Sequence, residues 1–496
     1  MSLIICKHKR LKKLEWAFSN EILSKLEVFS SLCTPKDALK KNKILFSESS
    51  YNLCDSECGD DYYKKEKDVL DRRIFALREI ISDYGIEIIY SYIDSDLMAR
   101  NIAVTMCSML SEIDVNSLFP SAFNTEDVYI KEFYSCFLRY VDNEKILQIL
   151  DREKWDEKSK LELFSHLNFE KQNWKLAEEE LSRPSDYWKL INHRPLQSQT
   201  DLTDAICKII EVERYDFALQ CFFSQLHNKR EINDILLLEA LIKNDKLIDV
   251  YNLIEIIKYC QEKKLDHYKM KFVEWKYLTL IHDASDIEPI NLYTELQANP
   301  DFFIEVLSLA YKEEGDNREI ILSENEKANS LNAYNLLHKW NTIPGFMSST
   351  LDEDYLKKWI IEVQEKAEKV KRLPVANLII GRVLFYSPPD NSGFWINKTV
   401  AEIFNKTENL RMRDSFYIEA VNTRGVYSVD YTGNADLEIA NNWKAKAESL
   451  NECGFYEFSA SIMDLYNMYI KESEMVKSTK KPGGCITCFV KKDGTE

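Results

Sequence analysis

Glycine is scarce in this chain. It has 12 glycines in 496 residues and only 11 prolines, the former about a third of ordinary usage. β-proteins and nucleotide-binding α/β proteins depend on glycine-rich turns. Their near absence argues for an all-helical protein. The motifs that carry common chemistries are missing as well. There is no GxxxxGK[ST] to close backbone N–H groups on a phosphate, no GxGxxG, no HExxH and no GxSxG. The seven histidines are dispersed, none three or four residues from another or from a cysteine.

Other absences narrow the class. No apolar run approaches the length that crosses a bilayer. The few apolar residues between Met1 and Lys7 fall short of a signal-peptide core. The expectation is a bacterial-type cytoplasmic protein without a membrane partner. Basic surface is short too, because the formal net charge is −17. A duplex-binding face needs clustered Lys and Arg to displace counterions. The runs Lys7 to Lys13, Lys40 to Lys43 and Lys477 to Lys481 read as helix ends or tails, so nucleic acid is disfavoured as a partner.

The 12 cysteines are scattered. Cys107, Cys136, Cys207, Cys221 and Cys260 fall on apolar helix faces and read as free, buried thiols. Cys54 with Cys58, and Cys485 with Cys488, are close pairs. Neither has a nearby histidine or third cysteine to complete a zinc site. No metal and no cofactor are expected.

What remains is a succession of helices. Lys64 to Tyr84 carries Val69, Leu70, Ile74, Leu77, Ile80 and Ile81 at helical spacing, with Gly85 as its stop. Helices are read over 11–31, 86–93, 96–112, 126–141, 144–153 and 158–167. Thr200 to Glu211 and Tyr215 to Leu226 place small alanines between large apolar residues, as in one tetratricopeptide-like hairpin. Further helices are read over 235–242, 247–260, 265–281, 302–311 and 325–340. Thr350-x-x-Glu353 reads as a capping box for the helix that follows it, and Pro374 as a first-turn residue. The closing hairpin runs from Ala435 to Leu450 and Phe455 to Glu472, hinged at Cys453-Gly454. The fold expected is all-α: an irregular α-solenoid of TPR- or HEAT-like hairpins, with a helical C-terminal cap and at most a small β-hairpin. The domains expected are an N-terminal helix and polar loop (1–60), a helical-repeat region (61–265), a C-terminal helical module (266–473) and a disordered tail (474–496).

The most distinctive text lies between Asn332 and Tyr469. There Gly425 to Tyr431 is the one weakly β-like stretch. Asn422, Arg424 and Gly425, with Tyr427 and Tyr431 on the following loop, are the candidate binding residues. Gly425 supplies a free φ, and Arg424 beside it is either an exposed recognition tip or the partner of a carboxylate on the closing hairpin. Glu178-Glu179-Glu180 reads as a solvated helix face. Asp94 with Asp96 is too common a pairing in so acidic a chain to mark acid–base catalysis.

Several segments occur together: Lys271-Phe272-Val273-Glu274-Trp275-Lys276-Tyr277-Leu278, Asn299-Pro300-Asp301-Phe302-Phe303, and Leu309-Ala310-Tyr311-Lys312. They continue with Leu336-Leu337-x-x-Trp340, Pro344-Gly345, Gly381-Arg382-Val383-Leu384, Asn422-x-Arg424-Gly425-Val426 and Trp443. Over residues 60 to 473 this text resembles the C-terminal half of a group of large, mostly uncharacterised bacterial proteins. The resemblance implies a helical-repeat sensor or scaffold segment of an antiphage conflict system, whose ATPase or effector module lies upstream. The expectation is then either a fragment of a longer protein or a solenoid that works with a partner, an ATPase or effector subunit or a phage protein. Two other readings stand beside it: an enzyme, nuclease-like, with carboxylates in the solenoid groove, and an RNA-binding helical repeat.

Overall fold

The computed structural model describes residues 2–10, 17–53, 62–114, 126–150, 155–191, 202–316, 322–347, 350–425, 430 and 432–478. The protein is all-α: the described residues form 27 α-helices. One two-stranded antiparallel hairpin pairs Phe346–Met347 with Thr350–Leu351. The small hairpin thus falls at residues 346–351. Of the Gly425 to Tyr431 stretch, 426–429 and 431 lie outside the described residues. The chain divides into two compact units, Met1–Ile256 and Ile257–Glu496. The division falls inside the Val250–Glu262 helix.

In the first unit, short polar side chains start seven of the helices. Ser19, Asp37, Ser95, Asp127, Asp142, Asp156 and Asn233 each accept a backbone N–H of the first turn. The N-terminal region holds more helix than expected, with Ala38–Ser47 and Ser50–Leu53 following Asn20–Leu32. Lys171–Glu180, of which the sequence marks only the Glu178-Glu179-Glu180 face, is followed by the unexpected helix Pro184–Leu190. Their core side chains Trp174 and Trp188 interlock with Phe169 and Phe217. Glu178 and Glu179 sit on the exposed face of the Lys171–Glu180 helix. Asp94 is exposed and paired with Lys43 at 2.6 Å.

The second unit is built round two aromatic centres. Phe303, Trp340 and Trp359 meet with ring centroids 5.4–5.9 Å apart. Phe404, Phe416 and Phe458 meet at 4.7–5.2 Å. Several boundaries differ from the sequence reading. The segment 265–281 is two helices, His267–Lys276 and Leu278–Asp283, broken at Tyr277. The capping box is Ser323 with Glu326. Thr350 lies in the hairpin instead, and Asp352 caps Glu353–Lys369. Pro374 does sit in the first turn of Leu373–Phe385. Two helices, Lys398–Asn405 and Leu410–Asn422, were not anticipated. The last helix, Tyr456–Ser478, continues through 474–478, the residues at which the sequence reading begins the tail. Residues 479–496, with Cys485 and Cys488, lie outside the described residues, as do Cys54 and Cys58.

Candidate functional site

Arg424 follows the end of Leu410–Asn422 and turns inward. Its guanidinium bonds the Asp436 carboxylate, lies 3.3 Å from a Glu472 oxygen and sits over the Tyr469 ring at 5.3 Å. Its side chain keeps 13% of its exposure. Asp436 and Glu472 belong to the two helices of the closing hairpin, Asn434–Glu452 and Tyr456–Ser478. Of the two readings of Arg424, the geometry is that of a partner to carboxylates on the closing hairpin and not of an exposed tip. A largely buried guanidinium beside a buried carboxylate is held by charge neutralisation. Asn422 and Gly425 are exposed, Gly425 with φ +62°. Tyr427 and Tyr431 lie outside the described residues. Nearby, the Asp430 carboxylate accepts N–H groups of Thr432, Asn434 and Ala435 and the Thr432 hydroxyl. Those bonds pull its pKa down to about 2. Asp430 thereby caps a helix whose N-cap residue is Gly433.

A second feature was not read from the sequence as a site. On the His267–Lys276 helix, Tyr268, Phe272 and Trp275 recur at i, i+4 and i+7, which places them on one face. Met270, Val273 and Glu274 take the buried face. With Phe302 and Leu309 of Pro300–Ala310 the aromatic face lines a groove of about 390 Å³. Tyr268 and Phe272 are 71% and 68% exposed. Lys271 closes one side, pairing with Glu295 at 2.8 Å and lying over the Tyr268 and Phe302 rings. The Trp275 indole N–H reaches Asn329 at 3.3 Å.

The buried face explains how this helix is held. Glu274 accepts bonds from the Gln261 amide, the Asn291 N–H and side-chain amide, and the Leu292 N–H, at 2.7–3.2 Å. Asn291 and Leu292 belong to the first turn of Ile290–Ala298, whose N-cap residue, Pro289, offers no side-chain acceptor. Glu274 caps that turn from the neighbouring helix. Burial pushes its carboxyl pKa up, against the lowering effect of those donors.

The third feature is a polar cleft of about 310 Å³, lined by His282, His338, Lys339, Arg382, Tyr386 and Glu419 among others. Arg382 donates to the Leu337 carbonyl and, at 3.2 Å, to His338 Nδ1. Leu337 lies in the last turn of Glu324–Lys339. Arg382 thus satisfies a carbonyl that the helix leaves open. Lys339 does the same for the His282 carbonyl at 2.7 Å, at the end of Leu278–Asp283. The Tyr386 hydroxyl donates to Glu419 at 2.5 Å. Burial and then that carboxylate push the tyrosine up to about 12. Both ring nitrogens of His282 are buried without a hydrogen-bond partner. Burial, helped by Lys339, lowers its pKa to about 4.

Among the described residues, no group of three or more His, Cys, Asp or Glu side chains could hold a metal ion. Seven described cysteines are free thiols. Cys136, Cys221 and Cys260 are buried, whereas Cys107 and Cys207, expected to be buried, are partly exposed. No described helix is long and apolar enough to cross a membrane.

Fold and surface together define an all-α protein of successive packed helices, with an apolar groove and a polar cleft among the described residues of its C-terminal unit. Comparison with known proteins found no matching family model, no matching curated protein and no matching solved structure.

Proposed function

We propose that this chain is a non-enzymatic helical-repeat scaffold or sensor that binds a protein partner in the bacterial cytoplasm, in antiviral defence. The observation that carries the reading is the groove of Tyr268, Phe272, Trp275, Phe302 and Leu309. Binding hot spots concentrate in aromatic side chains set in a pocket. Here two aromatic rings are largely exposed on a helix whose other face is fixed by buried hydrogen bonds. The partner of matching chemistry is an amphipathic helix, with apolar residues at i, i+3 or i+4 and i+7 in the groove. The chain's charge of −17 favours basic flanks on that helix. The antiviral setting rests on the resemblance of residues 60 to 473 to the helical segments of conflict-system proteins.

Affinity capture from phage-infected bacteria tests the reading. The wild-type chain should recover one specific phage or host protein that the double variant Tyr268→Ser, Phe272→Ser loses, with both chains equally folded by circular dichroism. Equal recovery by both, or no specific protein from infected cells, would overturn it.

A further inference from the structure

The polar cleft of the C-terminal unit is lined by charged side chains of both signs. Arg382 and Lys339 are its cations, and Glu419 and Glu288 are its carboxylates. Arg382 and Glu419 feel each other's charge, yet no ion pair forms between them. The guanidinium is held by the Leu337 carbonyl and His338, and the carboxylate by the Tyr386 hydroxyl. Both charged groups are thus fixed by neutral partners while they line one cavity. Positions set before a ligand arrives reduce the ordering cost of binding.

The sign of the ligand follows from the balance. Arg382 and Lys339 against Glu288 and Glu419 balance two positive and two negative side chains in the cleft; of its two histidines, His282 adds no charge near neutral pH because burial keeps it unprotonated, and His338 Nδ1 accepts from Arg382. An ion of one sign would gain from half of these groups and be repelled by the rest. A molecule with both signs gains from all of them. The volume of about 310 Å³ suits a compound of about ten heavy atoms. Tyr293 and Trp340 supply apolar wall for a side chain.

We infer that this cleft binds a small zwitterion of the α-amino-acid type, its carboxylate toward Arg382 and Lys339 and its ammonium toward Glu419. The site shares no lining residue with the apolar groove, so it stands or falls apart from the protein-docking reading.

Isothermal titration of the full chain with each free α-amino acid, with propionate and with propylamine tests it. At least one amino acid should bind saturably with Kd below ~1 mM, and propionate and propylamine at least about tenfold more weakly. Glu419→Gln keeps an acceptor for Tyr386 and should weaken the amino acid at least about tenfold without shifting the thermal midpoint. Should Glu419→Gln fail to fold, Lys339→Met makes the same test at the carboxylate end. No saturable binding by any amino acid would overturn the inference. So would equal binding of propionate or propylamine, or unchanged affinity in the folded variant.

Discussion

Gly381 lies so close to Met412 that a Cβ built on it would stand 2.3 Å from the Met412 carbonyl oxygen. The Leu373–Phe385 helix therefore rests on the backbone of Leu410–Asn422, with no side chain between them at this point. In an open helix, glycine to alanine gains about 1 kcal/mol. Here the added methyl must push two backbones apart, and overpacking of that kind costs about 1–3 kcal/mol. Gly381→Ala should lower the thermal midpoint by several degrees. An unchanged or raised midpoint by calorimetry would show that the helices can separate freely.

Glu274 leads to a second expectation. Glu274→Ala removes the acceptor for two backbone N–H groups and two side-chain amides in a fully buried position. Orphaned buried donors cost about 1–3 kcal/mol each, less where water enters. The loss should reach about 3 kcal/mol by urea unfolding. Glu274→Gln, which keeps one oxygen, should lose less than the alanine variant. The reverse order would deny the carboxylate its capping role.

Arg424 should behave as a structural cation. Arg424→Met leaves Asp436 buried without its partner, a change that costs about 3–5 kcal/mol when a pair is fully buried. With Glu472 partly exposed, the lower end is expected. Adding Asp436→Leu to Arg424→Met should restore much of the loss. A double variant no more stable than the single would mean that the pair contributes nothing.

Acid should act through His282. Its folded pKa of about 4 lies below the ordinary value of 6.5. Between those values the unfolded chain takes up a proton that the folded chain refuses. Stability should therefore fall as the pH drops from 6.5 towards 4 and be fully present above that window. Lys339 and Asp283 are the charged groups that act on the ring. His282→Phe should flatten midpoint against pH in this range. Asp430, with a depressed pKa of about 2, works lower: its helix cap is complete above about pH 4 and lost as the pH falls through 2. Amide exchange at Asn434 and Ala435 should speed up there before global unfolding.

The helical architecture was legible because apolar spacing and capping residues act over a few residues. Lys64 to Tyr84 and the closing hairpin show this, each ended or hinged by a glycine of positive φ. Lys398–Asn405 escaped notice because it is short. Leu410–Asn422 escaped because Arg411, Arg413 and Asp414 interrupt its apolar stripe, and Arg413 is buried against the carbonyls of Phe404 and Lys406. The distinctive Gly381-Arg382 text was visible but not its reason. Gly381 answers to Met412 and Arg382 to Leu337, contacts that span 31 and 45 residues. The aromatic face of Tyr268, Phe272 and Trp275 could have been found from its i, i+4, i+7 spacing. The cleft could not, since its groups come from five separate helices and the turns beside them.

Glu274 has one more effect. The helix it anchors carries the groove's aromatic rings on its opposite side, so those rings stand on a foundation that is already set. A partner arriving at the groove meets a finished surface. In stopped-flow mixing the observed rate should rise in proportion to partner concentration, without the plateau that a slow rearrangement would impose.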